Sequence, residues 1–104
     1  MAKIKDLVRT GSPELYKRCL GKWGRGSQMT MLIEECSELI TIVARLLRGR
    51  ENVINNLVEE IADVEIMIEQ IKYIYNINEL VLVEKDRKLE RLEKRIGGRR
   101  SWKK

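Results

Sequence analysis

Two clusters of acids are the residues in this chain best placed to do chemistry. Glu34-Glu35-Cys36-Ser37-Glu38 comes first, and Glu59-Glu60-Ile61-Ala62-Asp63 follows after a break. Each cluster holds two acids three residues apart, Glu35 with Glu38 and Glu60 with Asp63. On a helix that spacing places both acids of a pair on one face. Glu35 and Glu38 lie in a row with Met31 and Ile42, and Glu60 falls in the column Val53, Glu60, Met67, Ile74, at steps of seven residues. Apolar neighbours of this kind predict partial burial. A buried, unpaired carboxylate is costly, so these acids must neutralise or meet positive charge. Four acids from two facing helices make a compact all-oxygen site, which suits a hard cation such as Mg²⁺ or Mn²⁺. The alternative is ion pairing with Lys and Arg from a neighbouring helix.

Both clusters sit in strongly helical stretches. Ser12 reads as an N-cap with Pro13 at the first helical position, which starts a short helix over residues 13–20. Gly21 is the expected stop, and Trp23-Gly24-Arg25-Gly26-Ser27 reads as a loop. A second helix is expected over residues 27–48, closed by Gly49. Its apolar stripe is Met29, Leu32, Ile33, Cys36, Leu39, Ile40, Val43, Leu46 and Leu47. Asn52 is a plausible cap for a third helix, to about residue 76, with the stripe Ile54, Leu57, Ile61, Val64, Ile68, Ile71, Tyr75. Further apolar residues on its other faces predict burial on more than one side, which a chain this short cannot supply alone. An oligomer is therefore expected. A fourth helix, residues 79–96, has an apolar stripe that fades into Lys85, Arg87, Lys88, Arg91, Lys94 and Arg95. The expected architecture is all-α: an antiparallel bundle of about four helices over residues 1–96, with a basic tail at 97–104.

Composition narrows the chemistry further. The 104 residues include no His and no Phe, and 43% are hydrophobic. A core of Leu, Ile, Val and Met follows, which suits helix packing. Without His, a His-based zinc site or a Ser-His-Asp triad is excluded. Cys19 and Cys36 have no metal-ligand spacing and read as small core residues. No apolar run approaches the roughly 20 residues of a membrane span, and no signal segment opens the chain, so a cytoplasmic location is expected. There is no Gly-rich phosphate loop of the GxxxxGK[ST] type. The net charge of +5 favours a polyanionic partner, either nucleic acid or a nucleotide's phosphates. Trp23 offers a flat surface for a base, or a cover for the core edge. Gln28 can hydrogen-bond a base edge, or face water.

The pattern Glu-Glu-x-x-Glu, 21 residues, then Glu-x-x-Asp resembles the signature of the all-α nucleoside triphosphate pyrophosphohydrolases. The likeness is to short MazG-like proteins, including those of bacteriophages. It covers residues 22–96 and includes Trp23-Gly24, Gln28, the run from Met31 to Ile40, the run from Glu59 to Met67, and Lys88-Leu89-Glu90-Arg91. The resemblance implies a helical bundle assembled as a homodimer or homotetramer. It implies Mg²⁺, with Mn²⁺ as a substitute, held by Glu35, Glu38, Glu60 and Asp63, and cleavage of a nucleoside triphosphate to the monophosphate and pyrophosphate. Glu34 is then the candidate base, ahead of Glu59, and Trp23, Gln28, Lys88 and Arg91 are candidate substrate contacts. Phosphoribosyl-ATP pyrophosphatases and dUTPase- or dCTPase-like enzymes share related acid sets and are the alternatives among enzymes. The alternative of a different class is a basic helical nucleic-acid-binding protein, which leaves the semi-buried acids unexplained.

Overall fold

Ser12 caps the first helix as its sequence position suggests: its Oγ accepts from the Leu15 N–H at 3.0 Å, with Pro13 at the first turn. In the computed structural model, which describes residues 11–97, that helix (α1) runs over Pro13–Leu47. The 3-10 turn Glu51–Val53 leads into α2, Ile54–Tyr75, and α3 spans Asn78–Gly97. The described residues are all-helical, with three helices where four were expected. The expected stop at Gly21 does not occur, because one glycine costs a helix only about 1 kcal/mol. The break is confined to Gly24, inside the expected loop, whose φ of 84° and ψ of 160° lie outside the helical region, while the rest of residues 21–27 is helical. A side chain would oppose that backbone, and glycine does not. The other expected boundaries hold closely. Gly49, at φ 84°, follows the Arg48 C-cap in the left-handed position typical of a helix stop. Asn76 takes the same role after α2, at φ 53° and ψ 48°. Asn52 does not cap α2; it lies inside the 3-10 turn, and α2 starts without a side-chain cap. The expectations for residues 1–10 and for the basic tail from residue 98 onward, Trp102 included, fall outside the described residues.

α1 and α2 form an antiparallel hairpin, since Tyr16 meets Glu69 while Glu35 meets Glu60. Its seam is built from columns at steps of seven. Val53, at the end of the 3-10 turn, and Glu60 and Met67 on α2 are buried; on α1, Gln28 and Ile42 are buried with Glu35 half-buried between them. The column through Glu60 is the one the sequence singled out. The nine-residue stripe expected to form the core of residues 27–48 is only partly used. Leu32, Cys36, Leu39 and Leu46 are half-buried, while Met29, Ile33, Ile40, Val43 and Leu47 face outward. Cys19 and Cys36 are half-buried free thiols. α3 approaches only α2, with no Cα–Cα distance of 8 Å or less to α1. Its start is half-buried at Val81, and Leu82, Leu89, Leu92 and Ile96 are exposed beyond it. Among the described residues no helix is long and apolar enough to cross a membrane.

Candidate functional site

Midway along the seam, oxygens of Glu35, Glu38 and Glu60 lie within 4.8 Å of one another. The i,i+3 spacing turns Glu35 and Glu38 the same way on α1, and the seven-residue column carries Glu60 to meet them. Glu60 is only 5% exposed, Glu35 is half-buried and Glu38 is exposed. The Glu60 Oε2 atom is buried with no hydrogen-bond partner. Among the described residues, no Lys or Arg forms an ion pair with Glu35, Glu38, Glu60 or Asp63. The crowding shifts Glu60's titration. A hydrogen bond with Glu35, then burial, then the nearby Glu38 push its pKa from 4.5 up to about 8. Crowded carboxylates raise one another's pKa in this way unless positive charge meets them.

The cluster opens into a cleft of ≈ 370 Å³ whose lining includes Thr41, Arg45, Asn56, Glu59 and Asp63, together with Glu38 and Glu60. Asp63 thus reaches the cleft, one turn along α2 from Glu60, but is not among the three converging acids. The acid set expected from sequence is therefore brought to one place, with three members tight and the fourth in the wall. Glu34 is exposed and does not line the cleft, whereas Glu59 does. Helix phase does not separate them, since Glu34 and Glu59 each precede a cluster acid by one residue; which of them reaches the cleft depends on how the helices pack. Arg45 and Asn56 were not singled out as site residues from the sequence. Arg45 stands seven residues after Glu38, two helical turns along the same face, which is the signal that could have found it.

The other expected substrate contacts are dispersed. Gln28 does not face water. It is buried, its Oε1 lacks a partner, and it sits two turns from Glu35 along the seam. Trp23 is 53% exposed just before the break in α1, with the Lys22 ammonium 5.7 Å from its ring centre. Lys88 and Arg91 are exposed on α3, and Lys88 Nζ lies 3.7 Å from Glu84. Within one chain, α3 does not bring them to the cleft.

A larger cavity, ≈ 440 Å³, opens at the other end of the hairpin beside Tyr16, Glu69, Lys72 and Tyr73. Its acid is already satisfied. The Tyr16 hydroxyl donates to Glu69, and the Gly11 N–H donates to the same oxygen at 3.1 Å. Burial first, and then the bond to Glu69, push the Tyr16 pKa up to about 12, which keeps the hydroxyl a donor. The chemistry therefore points to the smaller cleft. The chain matches no family model, no curated protein and no solved structure.

Proposed function

We propose that this chain is a Mg²⁺-dependent nucleoside triphosphate pyrophosphohydrolase of the MazG-like kind, acting as a homodimer or homotetramer. The observation that carries the reading is the convergence of Glu35, Glu38 and Glu60 around a buried, unpartnered carboxylate oxygen, with no Lys or Arg of the described residues paired to them. An all-oxygen donor set of this kind fits a hard divalent ion. Glu35, Glu38 and Glu60 would hold it, with Asp63 close by in the cleft wall. Such an ion neutralises phosphate oxygens and lowers the pKa of bound water. Glu59 lines the same cleft and is placed to accept a proton from a water there. Arg45 supplies positive charge for a polyphosphate in a lining otherwise rich in acids. This reading moves the base role from Glu34 to Glu59 on position alone.

The resemblance in acid spacing supports the same reaction, and it leaves phosphoribosyl-ATP and pyrimidine triphosphates open as substrates. The nucleic-acid-binding alternative would use the exposed cations of α3 and gives the cleft no role. The test is incubation with Mg²⁺ and a panel of canonical, deoxy and modified nucleoside triphosphates, together with phosphoribosyl-ATP. Pyrophosphate and orthophosphate are assayed separately. The expected products are the monophosphate and pyrophosphate from at least one of them. Orthophosphate alone, or no turnover of any member, would overturn the proposal.

A further inference from the structure

The cavity of ≈ 440 Å³ beside Tyr16 shares no lining residue with the acid cleft. Its size falls within the range of about 300–1,000 Å³ usual for small-molecule sites. Part of its wall is aromatic. The Tyr16 ring is buried and meets the Tyr73 ring at 6.4 Å between centres, with 53° between the planes. A third ring laid against this tilted pair gains the same edge and face contacts. The charges of the lining are unequally answered. Glu69 already accepts from the Tyr16 hydroxyl and the Gly11 N–H. Lys72, three residues further along α2, is half-buried, and no carboxylate of the described residues forms an ion pair with it, Glu69 included. A half-buried ammonium without a partner favours an anion. The exposed amides of Asn76 and Asn78 complete the polar part of the lining.

We propose that this cavity is a metal-independent binding site for a small aromatic anion, a planar ring bearing one phosphate or carboxylate group. The ring packs on Tyr16 and Tyr73, the anionic group pairs with Lys72, and the amides of Asn76 and Asn78 supply uncharged donors. The cavity presents no arrangement for bond cleavage, so the role is binding, and it stands whether or not the acid cleft hydrolyses anything. Three alternatives fit less well. A cationic ligand would meet the Lys72 ammonium. A triphosphate carries more negative charge than one lysine answers, with Glu69 close by. A purely apolar ligand would cover Lys72 without pairing it. The acid cleft differs in its requirement for metal: its crowded carboxylates repel an anion until a cation neutralises them, whereas Lys72 needs no metal.

Calorimetric titration of the full chain in the presence of a metal chelator is the test. Two probes carry both features: adenosine monophosphate, for a nucleotide source, and benzoate, for an aromatic acid. At least one should bind with a Kd of about 1 mM or below. Binding by one probe alone supports the proposal and names the source. Adenosine, which has the ring without the charge, should bind at least about tenfold more weakly than the monophosphate, as should inorganic phosphate, which has the charge without the ring. Lys72→Gln should weaken binding by roughly tenfold or more, the loss of one charge-assisted hydrogen bond, and Lys72→Arg should restore most of it. Tyr73→Leu, which keeps apolar bulk and removes the ring, should weaken it by about threefold. Arg45→Gln, which removes the cation of the acid cleft, should leave it unchanged. The wild-type titrations decide even if a variant fails to fold. Absence of binding by both probes, or inorganic phosphate binding as tightly as the monophosphate, would overturn the proposal. So would an affinity indifferent to Lys72→Gln, or one lost with Arg45→Gln.

Discussion

Glu60 and Glu69 stand on the same helix, nine residues apart, and both turn toward α1. Their surroundings differ in kind. Glu69 meets neutral donors, the Tyr16 hydroxyl and the Gly11 N–H. Glu60 meets two more carboxylates and keeps one oxygen buried without a partner. The first is a satisfied acid that ties the ends of the hairpin together. The second is an arrangement that a protein scaffold tolerates only if a proton or a cation completes it. A buried carboxylate is thus not informative by its burial alone; the charge and donor capacity of what surrounds it decide its meaning.

The sharpest way to break the contrast is to remove one charge at each place. Glu60→Gln or Glu38→Gln should cut pyrophosphate release by roughly two to three orders of magnitude, the usual effect of deleting one electrostatic contact to the reacting groups. The metal-free protein should stay folded. If hydrolysis survives either change at more than a tenth of the parent rate, the cluster is not the catalytic centre.

Metal should distinguish the two acids next. Saturating Mg²⁺ binds the folded chain and not the unfolded one, which should raise Tm by on the order of 10 °C for a domain of this size. Glu60→Gln should abolish most of that rise, and Glu69→Gln should leave it intact. An equal rise in the parent and in Glu60→Gln places the ion elsewhere.

Tyr16→Phe tests the satisfied site. It removes one donor to Glu69 and leaves the Gly11 N–H, so the cost should be roughly 1–3 kcal/mol in denaturant melts, the same with and without Mg²⁺. A loss that Mg²⁺ reverses would mean that the two sites are coupled.

The last contrast is in pH. Below pH 4.5 the Glu60 carboxyl is protonated whether the chain is folded or not, so it contributes no slope. Between 4.5 and about 8 the folded chain holds a proton that the unfolded chain has released, so metal-free stability falls as pH rises. Above about 8 both forms are ionised and the decline ends. Glu60→Gln should remove this component. A metal-free parent and variant with superimposable stability curves from pH 5 to about 8 would show that Glu60 is not held protonated.

Much of the fold was legible because its signals are local. Ser12-Pro13 opens α1, Gly49 closes it, and Asn76 ends α2, each through backbone geometry that a single residue type favours. Local signals spread the first break over residues 21–27 where the structure confines it to Gly24, since a glycine only permits a bend. The acid cluster was legible for a different reason. Its three- and seven-residue spacings give one face whatever the helix packs against.

The sequence by itself determined that Glu35 and Glu38 share a face, that Glu60 shares a column with Val53 and Met67, and that the chain has more apolar helix surface than one small domain can cover. Only the tertiary structure decided which face of each helix forms the hairpin seam. It also decided that Glu59 and Arg45 join the cleft while Glu34 does not, and that Lys88 and Arg91 stay away from it within one chain. The physical reason is that helical periodicity fixes the angle between side chains on one helix, but not the rotation of that helix against its neighbour. That rotation follows from the packing of all the seam residues at once, a sum that no single spacing contains.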